Sequence, residues 1–473
     1  MESTSIPNRI QASQKTADLL FAAGKGDWVT KRKDPVEVKG KGNMVTYWVE
    51  PDNRFEPVDT ESESENGSVP GAVLSRSRLQ HLINFNVEVL ENLLKDLVAH
   101  NLNAAATGRR SRTGETCAMP FDKTAPRDEI VEVIPIPKLQ NHGRKHNPSD
   151  VQLPQTVRAQ IRAFVSLLAN NHSNENPFHN FDHATHVAMS VRKLLARILK
   201  PLQTHDVATN GNSKKIEKIL MSTYALTSDP MIQFAVYFSA LIHDAQHPGV
   251  SNATLSQEGD AMAVQFNNKS CAEQNSVCVA WDLLMSKQFQ ELRACMFTND
   301  DQVHQFRQLV VNAVMATDIF DRDLKSFRER RWAKAFPKED VSELSMSTIA
   351  TPTRVDQEGD LRATIVIEHI IQASDVVHTM QHWKVYQKWN HRLFCEMMEA
   401  YKAGRTDKDP ATGWYKGELW FFDNYIIPLA KKLKECGVFG VSCDEVLDYA
   451  LDNRTEWEQK GEEILAQWMA EPM

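Results

Sequence analysis

From about residue 76 to the C-terminus, apolar residues keep returning at the spacing of one helical face. LQHLINFNVEVLENLLKDLV sets Leu79, Leu82, Ile83, Val87, Leu90 and Leu94 along one stripe, and FRQLVVNAVMATDI does the same with Phe306, Leu309, Val310, Ala313 and Val314. The alternation that a half-buried strand needs is scarce in this region. Its main exception is IVEVIPIPKL at 130–139, whose prolines predict an extended segment. A chain patterned in this way buries its apolar surface by packing helix on helix, so a mainly α fold is expected. Two polar stretches, around 337–362 and 402–417, read as loops, with an apolar helix beginning near Thr364.

The region before residue 76 is different. Residues 1–48 read as a small folded αβ piece ending in VKGKGNMVTYWVE. Residues 49–75 follow, with seven acids between Glu50 and Glu65 and few bulky apolar groups. Such a segment cannot bury enough surface to order itself and reads as an acidic disordered linker. Residues 76–473 then form the main domain. The net charge of −8 argues against nucleic acid as a partner, which calls for a basic surface. The seven cysteines are dispersed, with no C-x-x-C pair, and so read as free thiols in a reducing, cytoplasmic setting. No apolar run reaches the roughly 18 residues of a membrane helix, and no secretory signal is expected.

The chemistry is concentrated in a few places. PFHNFDHATHV at 177–187 holds His179, Asp182, His183 and His186. FAVYFSALIHDAQHPGVSN at 234–252 runs an apolar helix into His243 and Asp244, with His247 close behind. VIEHIIQASDVVHTM sets Asp375 in an apolar helix, and AVMATDIF ends another with Thr317 and Asp318. Any one of these is most simply a cap or a surface group. Together, a spaced histidine, an adjacent His-Asp pair and a late aspartate on apolar helices point to a metal site, because a buried carboxylate needs a partner or a cation. Imidazole with carboxylate suits zinc, iron, manganese or cobalt, and a site richer in carboxylate and water suits magnesium.

These stretches resemble class I 3',5'-cyclic-nucleotide phosphodiesterases. The matching residues are F-H-N-x-x-H-A at 178–184, A-x-x-H-D-x-x-H-P-G-V-S-N at 240–252, Glu273, A-T-D at 316–318 and Q-A-S-D at 372–375. The resemblance spans roughly 76–465. It implies a compact all-helical domain with an HD-type metal site, hydrolysing cyclic GMP or cyclic AMP to 5'-monophosphates in signal transduction. His183, His243, Asp244 and Asp375 are then expected to bind a first metal, zinc. Asp244 would bridge to a second, magnesium or manganese. His179 is the expected general acid on O3' after a hydroxide activated by the two metals attacks phosphorus. His247, Glu273 and Thr317 would surround the metals, with Glu273 serving as the carboxylate on His247. His186, Gln246 and Asn275–Ser276 depart from the family pattern, which implies altered tuning, with His186 read as a capping or stacking residue.

The same resemblance implies a purine held between Phe421 and Leu393, with Tyr386 and Asn390 near its polar edge. Glu418 stands where the family has a glutamine. An ionised carboxylate only accepts hydrogen bonds, and guanine offers donors at N1 and N2, so a preference for cyclic GMP is expected. A neutral Glu418 could instead donate to adenine, and one turned toward Lys416 would leave the base alone.

The opening residues resemble a second family, the C-terminal end of a class III nucleotide cyclase domain, through M-E-S-T, R-I-Q-A-S, V-K-G-K-G and T-Y-W. Lys39 or Lys41 would approach the nucleotide phosphates there. The cyclase's metal-binding aspartates are not in this chain, so no cyclisation is expected of it. A longer parent with an upstream cyclase domain is expected instead. Within a receptor cyclase, that parent would sit on the cytoplasmic face of a membrane. Two other functions fit the bare His…His-Asp…Asp pattern: another HD-type nucleotide phosphohydrolase, and a non-catalytic cyclic-nucleotide sensor.

Overall fold

The structure is a computed structural model that describes residues 10–22, 28–32, 36–38, 42–49, 74–105, 125–136, 146–203, 223–224, 226, 229–337, 352–439 and 444–470. The chain divides into two compact units, Met1–Ser68 and Val69–Met473.

In the first unit, β1 (Ile10–Ser13), β2 (Val29–Lys31) and β5 (Thr46–Val49) form an antiparallel sheet in the order β1-β5-β2. A separate pair joins β3 (Val36–Val38) to β4 (Gly42–Met44). Every residue of the central strand β5 is buried. Helix α1 (Gln14–Ala22) leans on it through an edge-on contact of Phe21 with Tyr47, whose hydroxyl donates to Gln14 at 2.7 Å. This is the small αβ piece expected. Lys39, Lys41 and the acidic stretch 51–73 lie outside the described residues.

The second unit is helical. Its described helices are α2 (Arg76–Ala105), α3 (Gln155–Asn171), α4 (Phe181–Gln203), α5 (Pro230–Ile242), α6 (Asn252–Glu258), α7 (Ala261–Gln265), α8 (Cys271–Met285), α9 (Gln290–Met296) and α10 (Asp300–Met315). They continue with α11 (Arg322–Ala335), α12 (Pro352–Asp375), α13 (Trp383–Lys402), α14 (Trp414–Phe421), α15 (Ile427–Glu435) and α16 (Asp444–Ala470). The organising element is α5. Asp229 caps it by accepting from the Met231 amide, and Pro230 occupies its first turn, where no amide donor is needed. Residues 234–242 are all buried, as a helix apolar all round must be. It packs on α2, α4 and α10. One buried polar link pins this junction: the Tyr237 hydroxyl donates to Asn86 at 2.6 Å, and Asn86 donates to Thr185 at 2.9 Å.

The apolar stripes face inward: Leu82, Ile83, Val87, Leu90 and Leu94 on α2, and Phe306, Leu309, Val310, Ala313 and Val314 on α10, are buried, while Leu79 at the start of the α2 stripe is half-buried. Residues 130–136 are neither helix nor strand. Side chains satisfy their backbone: the Val131 amide donates to Asn312, the Ile134 amide to Thr364, and Arg331 donates to the Glu132 carbonyl. Two loop readings need correction. Helix α12 begins at Pro352, well before Thr364, because its polar first turns carry no apolar stripe to read. The second stretch contains a short 3₁₀ turn, Pro410–Thr412, and the start of α14. Among the described residues, no helix is long and apolar enough to cross a membrane.

Candidate metal centre

The ends of three buried helices meet at one point. Helix α4 begins there because Asn180 caps it, its side-chain oxygen accepting from the amides of Asp182 (2.9 Å) and His183 (3.2 Å). That places His183 in the first turn. Helix α5 runs out at His243 and Asp244, and α12 at Asp375. The four side chains offer ligand atoms that all lie within 4.8 Å of one another. His183 Nε2 is 3.1 Å from Asp375 Oδ1, and His243 Nε2 is 2.9 Å from Asp244 Oδ2.

Nδ1 of His243 faces the Ala240 carbonyl at 2.9 Å, which puts the ring proton there and leaves Nε2 with its lone pair toward the cluster. Among the described residues, His243 Nε2 and Asp244 Oδ2 in this cluster are buried without a hydrogen bond of acceptable geometry. Native proteins rarely leave such atoms unpaired. Two imidazoles and two carboxylates converging in this way fit a divalent metal ion.

A second cluster adjoins it. His179 stacks on His247 with ring centroids 3.9 Å apart, and Glu396 completes a group within 4.8 Å. Glu396 is 4% exposed. It hydrogen-bonds His179 Nδ1, and its other oxygen accepts from the amides of Phe178 and His179, both at 2.9 Å. Burial alone would lower the His179 pKa, but the charge and hydrogen bond of Glu396 raise it to about 9. For Glu396, burial raises and His179 lowers, and the outcome is about 2. The pair is therefore an imidazolium on a carboxylate at neutral pH. His247 goes the other way, to about 4, through burial and the neighbouring His179 charge.

Sequence reasoning missed Glu396. It sits in LFCEMM on α13, 217 residues from its partner, and its signal was an acid flanked by apolar residues on a helix. The carboxylate expected on His247, Glu273, has another partner. It opens α8 beside Asn252, which donates to it at 2.9 Å and reaches Asp318 at 3.5 Å. Burial and the Asp318 charge raise Glu273 to about 8. The Thr317 hydroxyl donates to the Val314 carbonyl at 2.8 Å, and His247 Nδ1 accepts from the Gly249 amide at 3.2 Å, where Gly249 turns through a left-handed φ of 71°.

The residues expected at the purine form a directed chain. Trp414 Nε1 donates to Asn390 (3.1 Å), Asn390 donates to the Tyr386 hydroxyl (2.8 Å), and that hydroxyl donates to Glu418 Oε2 (2.8 Å). Burial raises the Glu418 carboxyl to about 7 against the pull of the Tyr386 hydrogen bond. Phe421 and Leu393 are each half-buried against the main core. His186 lies flat on Trp389 at 5.0 Å and meets Gln381 at 3.1 Å, in keeping with its stacking reading.

Residues 178–439, more than half of the chain, match the sequence profile of the 3'5'-cyclic nucleotide phosphodiesterase family. The chain belongs to that family. The match is narrower than the 76–465 expected, but contains every residue of both clusters. Residues 1–51 of this phosphodiesterase-family chain match the adenylate and guanylate cyclase catalytic domain. It is 26% identical over 328 residues to the probable 3',5'-cyclic-AMP phosphodiesterase pde-4 of Caenorhabditis elegans, covering 64% of this chain and 41% of that one. It is 29% identical over 163 residues to the human cGMP-inhibited 3',5'-cyclic phosphodiesterase 3A, covering 30% and 14%. The chain thus spans well under half the length of these curated relatives. Among solved structures it is similar to the phosphodiesterase domain of the RhoPDE fusion protein from the choanoflagellate Salpingoeca rosetta, at 18% identity and a TM-score of 0.46, covering 66% of this chain and 85% of that one.

The residues that depart from the phosphodiesterase-family pattern bond to one another, to neighbouring side chains or to the backbone. Asn275 donates to Gln246 at 3.2 Å, Gln246 donates to Asn171 at 3.3 Å, and the Ser276 hydroxyl donates to the Ala245 carbonyl at 3.0 Å.

Proposed function

We propose that this chain hydrolyses 3',5'-cyclic nucleotides to 5'-nucleoside monophosphates. The observation that carries the reading is the convergence of His183, His243, Asp244 and Asp375 beside the His179–Glu396 pair. The four ligands would hold zinc, and Asp244 would be shared with a second cation, magnesium or manganese, near Glu273, Thr317 and Asp318. Such a pair of cations lowers the pKa of a bound water and neutralises phosphoryl oxygens. The protein's own part is positioning and proton transfer. His179, kept protonated by Glu396, donates to the departing ribose O3'. Glu396 also fixes the ring by holding the backbone amide of the same residue. His247, neutral and stacked on His179, keeps a second positive charge away from it.

On the substrate side, Phe421 and Leu393 would clamp the base, and Glu418, oriented by Tyr386 and Asn390, would read its polar edge and favour cyclic GMP. The cyclase match at residues 1–51 supports a parent that both makes and destroys one messenger. We place the chain in the cytoplasm, without nucleic acid as a partner. The test is His179→Ala. Turnover falls by about 10²–10⁴-fold while metal content, read by elemental analysis, is unchanged. Near wild-type turnover with metals retained removes His179 from the mechanism.

A further inference from the structure

The π-helical turn Phe422–Ile426, which follows α14, carries Tyr425. Single π turns re-aim side chains and concentrate at functional sites. Here the turn brings the Tyr425 ring against Phe421, with centroids 5.3 Å apart and planes 15° from parallel. The hydroxyl at the far end of that ring is buried and has no hydrogen-bond partner among the described residues. A buried hydroxyl left unpaired is costly, so its place in the fold calls for an acceptor.

The groups around it are already committed. Asp375, whose charge acts on the hydroxyl, directs Oδ1 at His183 and His243. Arg328, the opposing charge, donates to the Asp318 carbonyl at 2.9 Å. On its own turn, Asp423 pairs with Arg454, and Asn424 donates to the Trp420 carbonyl. A phenol hydroxyl is protonated at neutral pH, so the group is a donor. The hydroxyl is thus a buried, unpaired donor that feels the charges of Asp375 and Arg328, on a ring stacked against the aromatic expected at the base. In the proposed reading, the group of a nucleotide that lies between its base and the metal ligands is the anionic phosphate.

We infer that Tyr425 is a substrate-positioning residue whose hydroxyl donates a hydrogen bond to a phosphoryl oxygen of the nucleotide. This rests on the cyclic-nucleotide reading proposed above. It adds to that reading a phosphate contact that depends neither on the metal ligands nor on the residues reading the base. Such a bond carries negative charge on its acceptor and is of the stronger kind.

The experiment compares the full-length chain with Tyr425→Phe, which keeps the ring stack and removes only the oxygen. Binding of 5'-GMP and of guanosine is measured by calorimetry, with metal content checked. The inference predicts that 5'-GMP affinity falls about tenfold while guanosine affinity, which has no phosphate to feel the change, stays within twofold. On turnover, kcat/KM should fall by about the same factor for cyclic GMP and cyclic AMP alike. Unchanged 5'-GMP binding overturns the inference. So does an equal loss for 5'-GMP and guanosine, which marks a packing role. A wild-type chain that turns over neither cyclic nucleotide overturns the activity reading instead, and the binding comparison still decides the role of Tyr425.

Discussion

Glu418 is the residue at which a single proton changes what the site can recognise. An indole N–H can only donate, so Asn390 must accept from Trp414 with its oxygen and donate with its amide. The Tyr386 proton is thereby turned onto Glu418 Oε2. In the proposed binding mode Oε1, which takes no part in that chain, is the oxygen left for the base. Above a pKa of about 7 that oxygen only accepts, which suits the guanine N1–H; below it, the oxygen carries the proton and can donate to adenine N1. The kcat/KM ratio of cyclic GMP to cyclic AMP should therefore rise as pH passes upward through 7, by about tenfold across the transition. Glu418→Gln should flatten it. A wild-type ratio that is independent of pH, or that the substitution leaves unchanged, would show that Glu418 does not read the base. The four metal-ligand candidates were legible because each lies within a short contiguous motif. Glu396 and Tyr425 were not legible. Glu396 meets His179 only through the folding of α13 against the start of α4, and the Tyr425 hydroxyl is aimed by a π turn that has no periodicity of its own.

At the scale of elements, helices buried on a clean stripe were the readable ones, and α2 and α10 lie as their spacing required. The start of α12 was hidden because PTRVDQEGD carries no apolar stripe to read, and the close packing of α16 was hidden because a glycine carries no pattern. Gly461 of α16 lies against Trp457 and Tyr415. A Cβ built there falls 2.8 Å from the indole ring and 2.9 Å from the phenol ring. Trp457 is fully buried and donates to the Tyr415 carbonyl at 3.1 Å, so the ring has no room to withdraw. Gly461→Ala gains about 1 kcal/mol of helix propensity but overpacks the junction by about 1–3 kcal/mol. The expected outcome is a net loss of about 1 kcal/mol, seen as a lower denaturation midpoint at unchanged slope. A variant more stable than wild type would mean that α16 and α14 can part without cost.

At the scale of the whole molecule, a small αβ unit matching a cyclase domain and a large helical unit of the phosphodiesterase family share one chain. The division expected from sequence rested on a change in patterning on either side of an acidic stretch. The fold of the large unit followed from the helical spacing, whereas the meeting of its helix ends at one cation-shaped point needed the structure. The most direct test is turnover of cyclic GMP and cyclic AMP by the full-length chain, before and after exhaustive chelation and again after zinc and magnesium are restored. The account predicts 5'-monophosphate as product, loss of turnover on chelation and recovery on restoration. Hydrolysis that persists in chain shown by elemental analysis to be metal-free would contradict it, as would a fully metal-loaded chain that cleaves neither cyclic nucleotide.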